Sequence, residues 1–461
     1  GRTNPISMEG VTSPNIDSDL IIGTEFSEKT NSKNVIIGEK ILKPFLAQTN
    51  AGIFNFTPYS GSLTWMATPQ LNLQTGKIEK VVMAKIPYTA FVPKKDNSFN
   101  FADGLEQRYD KNELGSSEKR LFDKLNGIGN NEQVLLAQAF DEMMGHQYGN
   151  VQYRLYSVGK SLDREFTNLR KEWNTTSRQS NKITTFGMKD EYKTNSAGII
   201  DYTRNSYGVA YVHENEEIKL GKSSGWYAGV VNSRFKFKDI GGSKENTSMI
   251  KLGIFKTMSP AKDHNGSLQW TVSGESYAAI SDIHRKYLVV DEIFSAKASY
   301  SSYGAAVKNE LSKEFRTSER ISIKPYGSLK LEYGRFGDIK EKTGEMRLDV
   351  KGNDYYSVKP EIGTEFKYRQ PMALKTTFVA AFGIGYENEL GKIRNVNNKA
   401  KVSFTDASQF NIRGEKEDRK GNFKADLNIG IENQRIGFTL NGGYDTKGNN
   451  IRGGIGFRAI Y

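Results

Sequence analysis

The chain has 461 residues, 26% of them charged, with a net charge of +12, a mean hydropathy of −0.60 and no cysteine. That length favours two or more structural units, and the lack of cysteine excludes disulfides, zinc–cysteine sites and thiol catalysis. There is no apolar run of about eighteen residues, the length a membrane-crossing helix needs, but low mean hydropathy does not exclude a barrel, whose strands turn only alternate residues to lipid. Lysine and arginine are spread along the chain without a nucleic-acid-binding motif, so no nucleic-acid partner is expected. The excess reads as solvated loops and a basic lumen, with lipopolysaccharide phosphates or phospholipid as neighbours. The chain begins with neither Met nor a signal peptide, so residue 1 reads as an interior position of a longer protein.

Residues 1–103 read as short β segments at 20–23, 35–41, 53–57, 63–66 and 81–88, separated by turn residues. They fit the end of a parallel β-helix or a small sandwich. From Asp103 the period changes to about 3.6. Ser116-Ser117-Glu118 offers an N-cap for a helix through Leu121 and Leu125, and Asn130-Asn131 precede a second helix with Val134, Leu135, Leu136, Ala139 and Phe140. Residues 104–182 thus form a helical linker.

Its last part, about 146–176, places Val151, Leu155, Val158, Leu162, Phe166, Leu169 and Trp173 on one helical face. Arg154, Lys160, Asp163, Arg164, Glu165, Arg170, Lys171 and Glu172 crowd the opposite face. Such a helix ordinarily packs on a soluble core. Here the first barrel strand follows about ten residues later, which points to a position under or inside a pore.

Residues 183–461 lay out as about twelve strands, at 183–192, 205–214, 224–238, 246–258, 266–281, 299–314, 320–334, 354–369, 372–388, 421–433, 435–446 and 449–461. Phe423, Ala425, Leu427, Ile429 and Ile431 alternate with Lys424, Asp426, Asn428, Gly430 and Glu432; Ile436, Phe438, Leu440, Gly442 and Tyr444 alternate likewise with polar neighbours and glycine. Connections after even strands are mostly short, among them Arg369-Gln370-Pro371 and the single Gln434. Those after odd strands are generally longer, up to 390–420. This parity belongs to an outer-membrane barrel with both termini in the periplasm, and a soluble sandwich has no reason to keep it. In the final strand Gly453, Ile455, Phe457, Ala459 and Tyr461 form a lipid-facing stripe, while Arg452, Gly454, Gly456 and Arg458 suit a wet lumen.

The helices over 104–173, the amphipathic helix just before the barrel, the Lys324-Pro325-Tyr326-Gly327 strand and the aromatic terminus together resemble the end of a monomeric (type Va) autotransporter. The family most often ends in Phe or Trp, whereas this chain ends in Tyr461. The resemblance implies an anchor and translocator that delivers its own N-terminal passenger, by family habit an adhesin, to the cell surface. It also implies a helix in the lumen, a passenger segment over 50–130 that helps folding, and insertion by the barrel assembly machinery through Gly453, Ile455, Phe457 and Tyr461.

Some relatives cut themselves in the pore through a linker asparagine, for which Asn168, Asn174 and Asn181 are the candidates; helix capping is the ordinary role of such residues. His146, His213, His264 and His284 are scattered without a Ser–Asp cluster, so no catalytic site is read here. No metal or cofactor is expected, since no ligand spacing supports one. A stand-alone porin with residues 1–182 as its plug predicts the same strands, and a soluble lectin-like protein is disfavoured by loop parity.

Overall fold

The computed structural model describes residues 16–50, 54–171, 179–217, 222–259, 268–391, 397–414 and 421–461. Its main body is a sheet of twelve long antiparallel strands: Gln179–Tyr192, Tyr202–Glu217, Lys222–Phe237, Lys244–Met258, Leu268–Val289, Glu292–Lys313, Ile321–Phe336, Asn353–Pro371, Thr377–Asn388, Gly421–Glu432, Ile436–Asp445 and Asn450–Ile460. Each pairs with the next, and the twelfth returns to the first, with Ile451 opposite Glu191 and Ile460 opposite Lys182. Closure leaves no row of unpaired amides for lipid to meet, which is the condition for crossing a membrane with strands. The last residue completes the seam: Tyr461 and Asn181 exchange backbone hydrogen bonds of 3.0 and 3.2 Å.

Alternation assigns the two faces. Phe438, Leu440 and Ile455 are 50%, 51% and 53% exposed on the outside, as are Ile250, Leu252, Ile254, Ile362 and Leu427 on other strands. Their neighbours Thr439, Arg452 and Arg458 are buried on the inside. A water-soluble sheet buries its apolar face; this one does the reverse, because its outer solvent is hydrocarbon. None of the described helices is long and apolar enough to cross a membrane.

Pro325 fits the sheet because of where the ladders end. The pairing of the sixth and seventh strands breaks after Ser312–Tyr326 and resumes at Phe315–Ile323, so the missing amide of Pro325 falls in that break, while its other neighbour is Thr364.

One expected connection is not a loop. Residues 282–298 continue the fifth and sixth strands into a tall hairpin turning at Val290-Asp291, with Val290 at φ 61°. Along this extension the parity inverts. Ile283, Arg285, Tyr287 and Val289 are buried, whereas Asp282 is exposed. The hairpin has left the membrane, its outer face is in water, and the ordinary rule of apolar-inside returns.

Two other long connections form a small sheet from Ile339–Lys340, Leu348–Val350, Asn398–Val402 and Phe410–Ile412. On it and on the tall hairpin sits a cap of helices, α2 (Phe99–Lys111), α3 (Ser117–Asn126) and α4 (Gln133–Met143). Ser116 caps α3 as expected, its hydroxyl accepting the Lys119 amide at 3.1 Å. Tyr88, Phe101, Phe122 and Phe140 form its aromatic centre.

Upstream, Ile16–Ile22 pairs in parallel with Phe54–Ser60, while Asn34–Ile37, Ile78–Lys85 and Trp65–Leu71 form an antiparallel sheet. A helix, α1 (Glu39–Asn50), occupies a stretch that reads as β and turn in the sequence, and carries Pro44 within it.

Candidate functional site: the occupied pore

Inside the barrel runs α5 (Val151–Lys171), the core of the helix expected over 146–176. It starts at the end bearing the long connections, where the Asn398 side-chain amide donates to the Tyr148 carbonyl at 2.6 Å. It ends near the opposite rim, where Arg170 donates to Thr257 at 2.9 Å, one residue from the close of the fourth strand. The first strand then begins at that same rim, so the chain passes through the pore once before building its wall.

Val151, Leu155, Val158, Leu162, Phe166 and Leu169 are all buried against the inner faces of the second to fourth strands, where Ala210, Val212, Tyr227, Val231 and Met249 supply a matching apolar strip. Trp173 and Asn174 lie outside the described residues. Gly229 makes the close approach possible: a Cβ there would stand 2.8 Å from Leu162 and 2.9 Å from the Phe166 ring. Phe166 packs on Tyr227 with ring centroids 4.5 Å apart. The wet lumen expected from Arg452, Gly454, Gly456 and Arg458 on the final strand does not extend to this strip, because strands two to four have apolar residues on both faces.

The helix's charged face meets partners from around the wall. Arg154 makes a bidentate pair with Glu245 at 3.0 and 2.9 Å, and Tyr300 donates to the same carboxylate at 2.9 Å. Lys160 reaches Glu387 and Asp445 at 3.3 and 3.4 Å. Asp163 lies between Lys251 at 2.8 Å and Lys330 at 2.7 Å, and both lysines also face Glu275. The expectation of a basic lumen is therefore corrected: its cations are matched by acids drawn from wall and helix alike. Charges removed from bulk water need close opposite partners to persist, and the barrel wall supplies them. Sequence parity identified which wall residues face inward; it could not pair them with helix positions, since those distances depend on strand tilt and helix rotation.

Between the charged face and the sixth to twelfth strands, reaching the first, lies a cleft of about 210 Å³, lined by Lys160, Arg164, Glu361, Lys424, Asp426 and Arg452 among others. The helix thus fills the lumen unevenly, flush on one side and spaced on the other.

The remaining candidates are dispersed. Asn168 borders the cleft near Glu165. Asn181 belongs to the first strand, where its side chain donates to the Tyr461 carbonyl at 3.3 Å and its carbonyl oxygen meets His213 Nδ1 at 2.9 Å, so it helps clasp the seam. His146 bonds Asp141 at 2.8 Å, and His284 stands apart near Lys244, Lys286 and Lys297. His264 lies outside the described residues. In the terminal strand Gly453, Ile455, Phe457 and Tyr461 share the exposed outer face.

Comparison with known proteins places this geometry. No curated protein matches the chain. Among solved structures, the translocator domain of the autotransporter NalP from Neisseria meningitidis is 12% identical, with TM-score 0.49 over 66% of this chain and 95% of that one. The beta domain of the Bordetella autotransporter BrkA is 11% identical with TM-score 0.43, over 61% and 99%. The transport unit of AIDA-I from Escherichia coli is 15% identical with TM-score 0.41, over 66% and 98%. The family model for the autotransporter beta-domain matches residues 183–445, more than half of the chain. Together with the closed twelve-stranded barrel, that match identifies this chain as a member of the autotransporter family, a type Va translocator region of the outer membrane.

Proposed function

We propose that the barrel anchors the protein and carries its own passenger through the outer membrane to the cell surface, with residues 1–103 as the end of the passenger and 104–182 as the helical linker to the barrel. The observation that carries this reading is the single pass of α5 through the pore. It joins the cap at the rim with long connections to a first strand that starts at the other rim. In an even-stranded barrel the short turns and both barrel termini lie in the periplasm, which puts the cap outside.

The finer parts rest on less. The exposed stripe Gly453, Ile455, Phe457 and Tyr461 supports recognition of the last strand by the barrel assembly machinery, with surrounding lipid meeting the same face. A self-sufficient closed sheet supports a monomer. An adhesin passenger is supported by family habit alone. The work proposed for the barrel is transport.

Protease applied to intact cells tests the topology. Cleavage within 16–85 is expected. Protection of that segment, with cleavage only after the membrane is permeabilised, would favour a channel with an N-terminal periplasmic plug. Separately, deleting Gly453–Tyr461 should abolish heat-modifiable barrel without affecting synthesis of the chain; a normal barrel in that variant would remove the terminal strand from its assembly role.

A further inference from the structure

The lumen helix leaves a cleft of about 210 Å³ beside it, and the mouth above the barrel is covered by the helical cap. We propose that the helical cap is a second closure: a dry seal over the barrel mouth that closes off the cleft left by α5.

The packing at the mouth is continuous rather than tangential. One buried apolar cluster runs from Tyr88, Phe101 and Phe140 in the cap through Met143 and Tyr148 into the upper wall. Each of the first five connections at that rim contributes to it or to residues packed on it: Ile199 and Ile200, Phe237, Val289, then Ile339, Met346 and Leu348, then Val402, Phe410 and Ile412. Burial of this kind excludes water by filling the space.

A polar latch lies within it. Arg285, on the inward face of the tall hairpin, makes a bidentate pair with Glu341 at 2.8 and 2.7 Å. The same guanidinium donates to the Met143 carbonyl at the end of α4 at 3.1 Å and to Met346 at 2.9 Å. Glu341 also accepts from the Tyr148 hydroxyl at 3.0 Å. Both charged side chains are fully buried. A buried ion pair that loses a partner is costly, and here the carbonyl of Met143 and hydroxyl of Tyr148 that complete it belong to the cap side. Lifting the cap would expose the pair to water and remove these bonds together. Around it, Glu142 accepts the Leu288 amide at 3.0 Å, and Gln147 donates to Asp239 at 2.9 Å.

Three glycines let the surfaces meet. A Cβ on Gly104 would lie 2.6 Å from the Val402 side chain; on Gly149, 2.6 Å from the Arg413 carbonyl; on Gly145, which has φ +78°, 2.7 Å from Leu348. All three sit on the cap side and face the connections between strands.

The chain has no cysteine, so Met143→Cys gives one thiol, buried at the seal, whose labelling by a maleimide reports an open mouth. The full chain carrying this probe, reconstituted in planar bilayers, is compared with versions adding Gly104→Leu or Gly149→Leu, all checked as heat-modifiable barrels. Mild urea provides a second way to unseat the cap in the probe-bearing chain without a wedge. Labelling and conductance should rise together and several-fold, under either treatment. Fast labelling with unchanged conductance would overturn the seal, since an open mouth would then leak no more than a closed one. Raised conductance with Met143→Cys still protected would overturn it too.

Discussion

The two sides of the lumen helix solve the same packing problem by different physics. Towards the second to fourth strands the helix is flush, with Gly229 leaving room for Leu162 and Phe166 in an apolar strip that Arg154–Glu245 and Asp163–Lys251 border on the fourth strand. Towards the seventh to twelfth strands it is held at a distance, and charged side chains span the gap beside a cleft. The apolar side fixes where the helix lies because dispersion and burial fall away within a fraction of an ångström. Ion pairs on long side chains tolerate small displacements and fix mainly rotation. A helix that must be accommodated after or during passage of a long polypeptide benefits from one snug wall and one forgiving wall.

This contrast can be broken at graded cost. The largest effect is expected from Gly229→Trp, which puts a side chain where Leu162 and Phe166 now stand. The helix should leave its seat, and bilayer recordings should show a much wider channel. A closed trace with a heat-modifiable barrel would mean the apolar wall does not set the helix position. Next, Leu162→Ala should cost about 2–5 kcal/mol, the range for truncating a buried leucine, read as a lower denaturant midpoint for exposure of the lumen helix. Asp163→Asn should cost less, about 1–3 kcal/mol, the cost of leaving buried partners unsatisfied. Lys251 and Lys330 keep Glu275 as a partner. A loss equal to that of Leu162→Ala would show the ion pairs to hold the helix as firmly as its apolar face does.

The smallest effect concerns the cap, where Lys85 pairs with Glu106 at 2.6 Å. Burial pushes the Lys85 ammonium down to about 8 against the pull of Glu106. Burial would raise the Glu106 carboxyl, but Lys85, the Tyr88 amide and Lys33 together hold it below its ordinary value. Because the folded state binds that proton less readily than the unfolded one, Glu106 stabilises the cap above the usual glutamate range, and the contribution is lost as pH falls through the depressed folded value. Protease resistance of residues 88–150 should drop on acidification, and Glu106→Gln should flatten the dependence below about pH 4.3, the unperturbed glutamate value.

The barrel was legible because its strands alternate against lipid: every one of the twelve expected segments contains an observed strand core, and the apolar stripe from Val151 to Leu169 fell on the helix it described. The hairpin over 282–298 was missed for a physical reason. There the alternation reverses its sense, with Tyr287 in and Asp282 out, so a search for greasy outward residues reads it as loop. Helix α1 was hidden by Pro44 and by its weakly apolar composition. The latch between Arg285 and Glu341 joins residues 56 positions apart, and nothing in periodicity marks such a pair. Gly104 and Gly149 are equally silent in the sequence, because what they do is leave room for something distant.

The clasp between Asn181 and Tyr461 has a topological consequence. Once the twelfth strand is zipped to the first, a segment already threaded through the ring can move only along its axis. The folded helices at one end are joined to it like the head of a bolt, and the wall itself anchors the other end. Withdrawal would require either melting the head or splitting the ring.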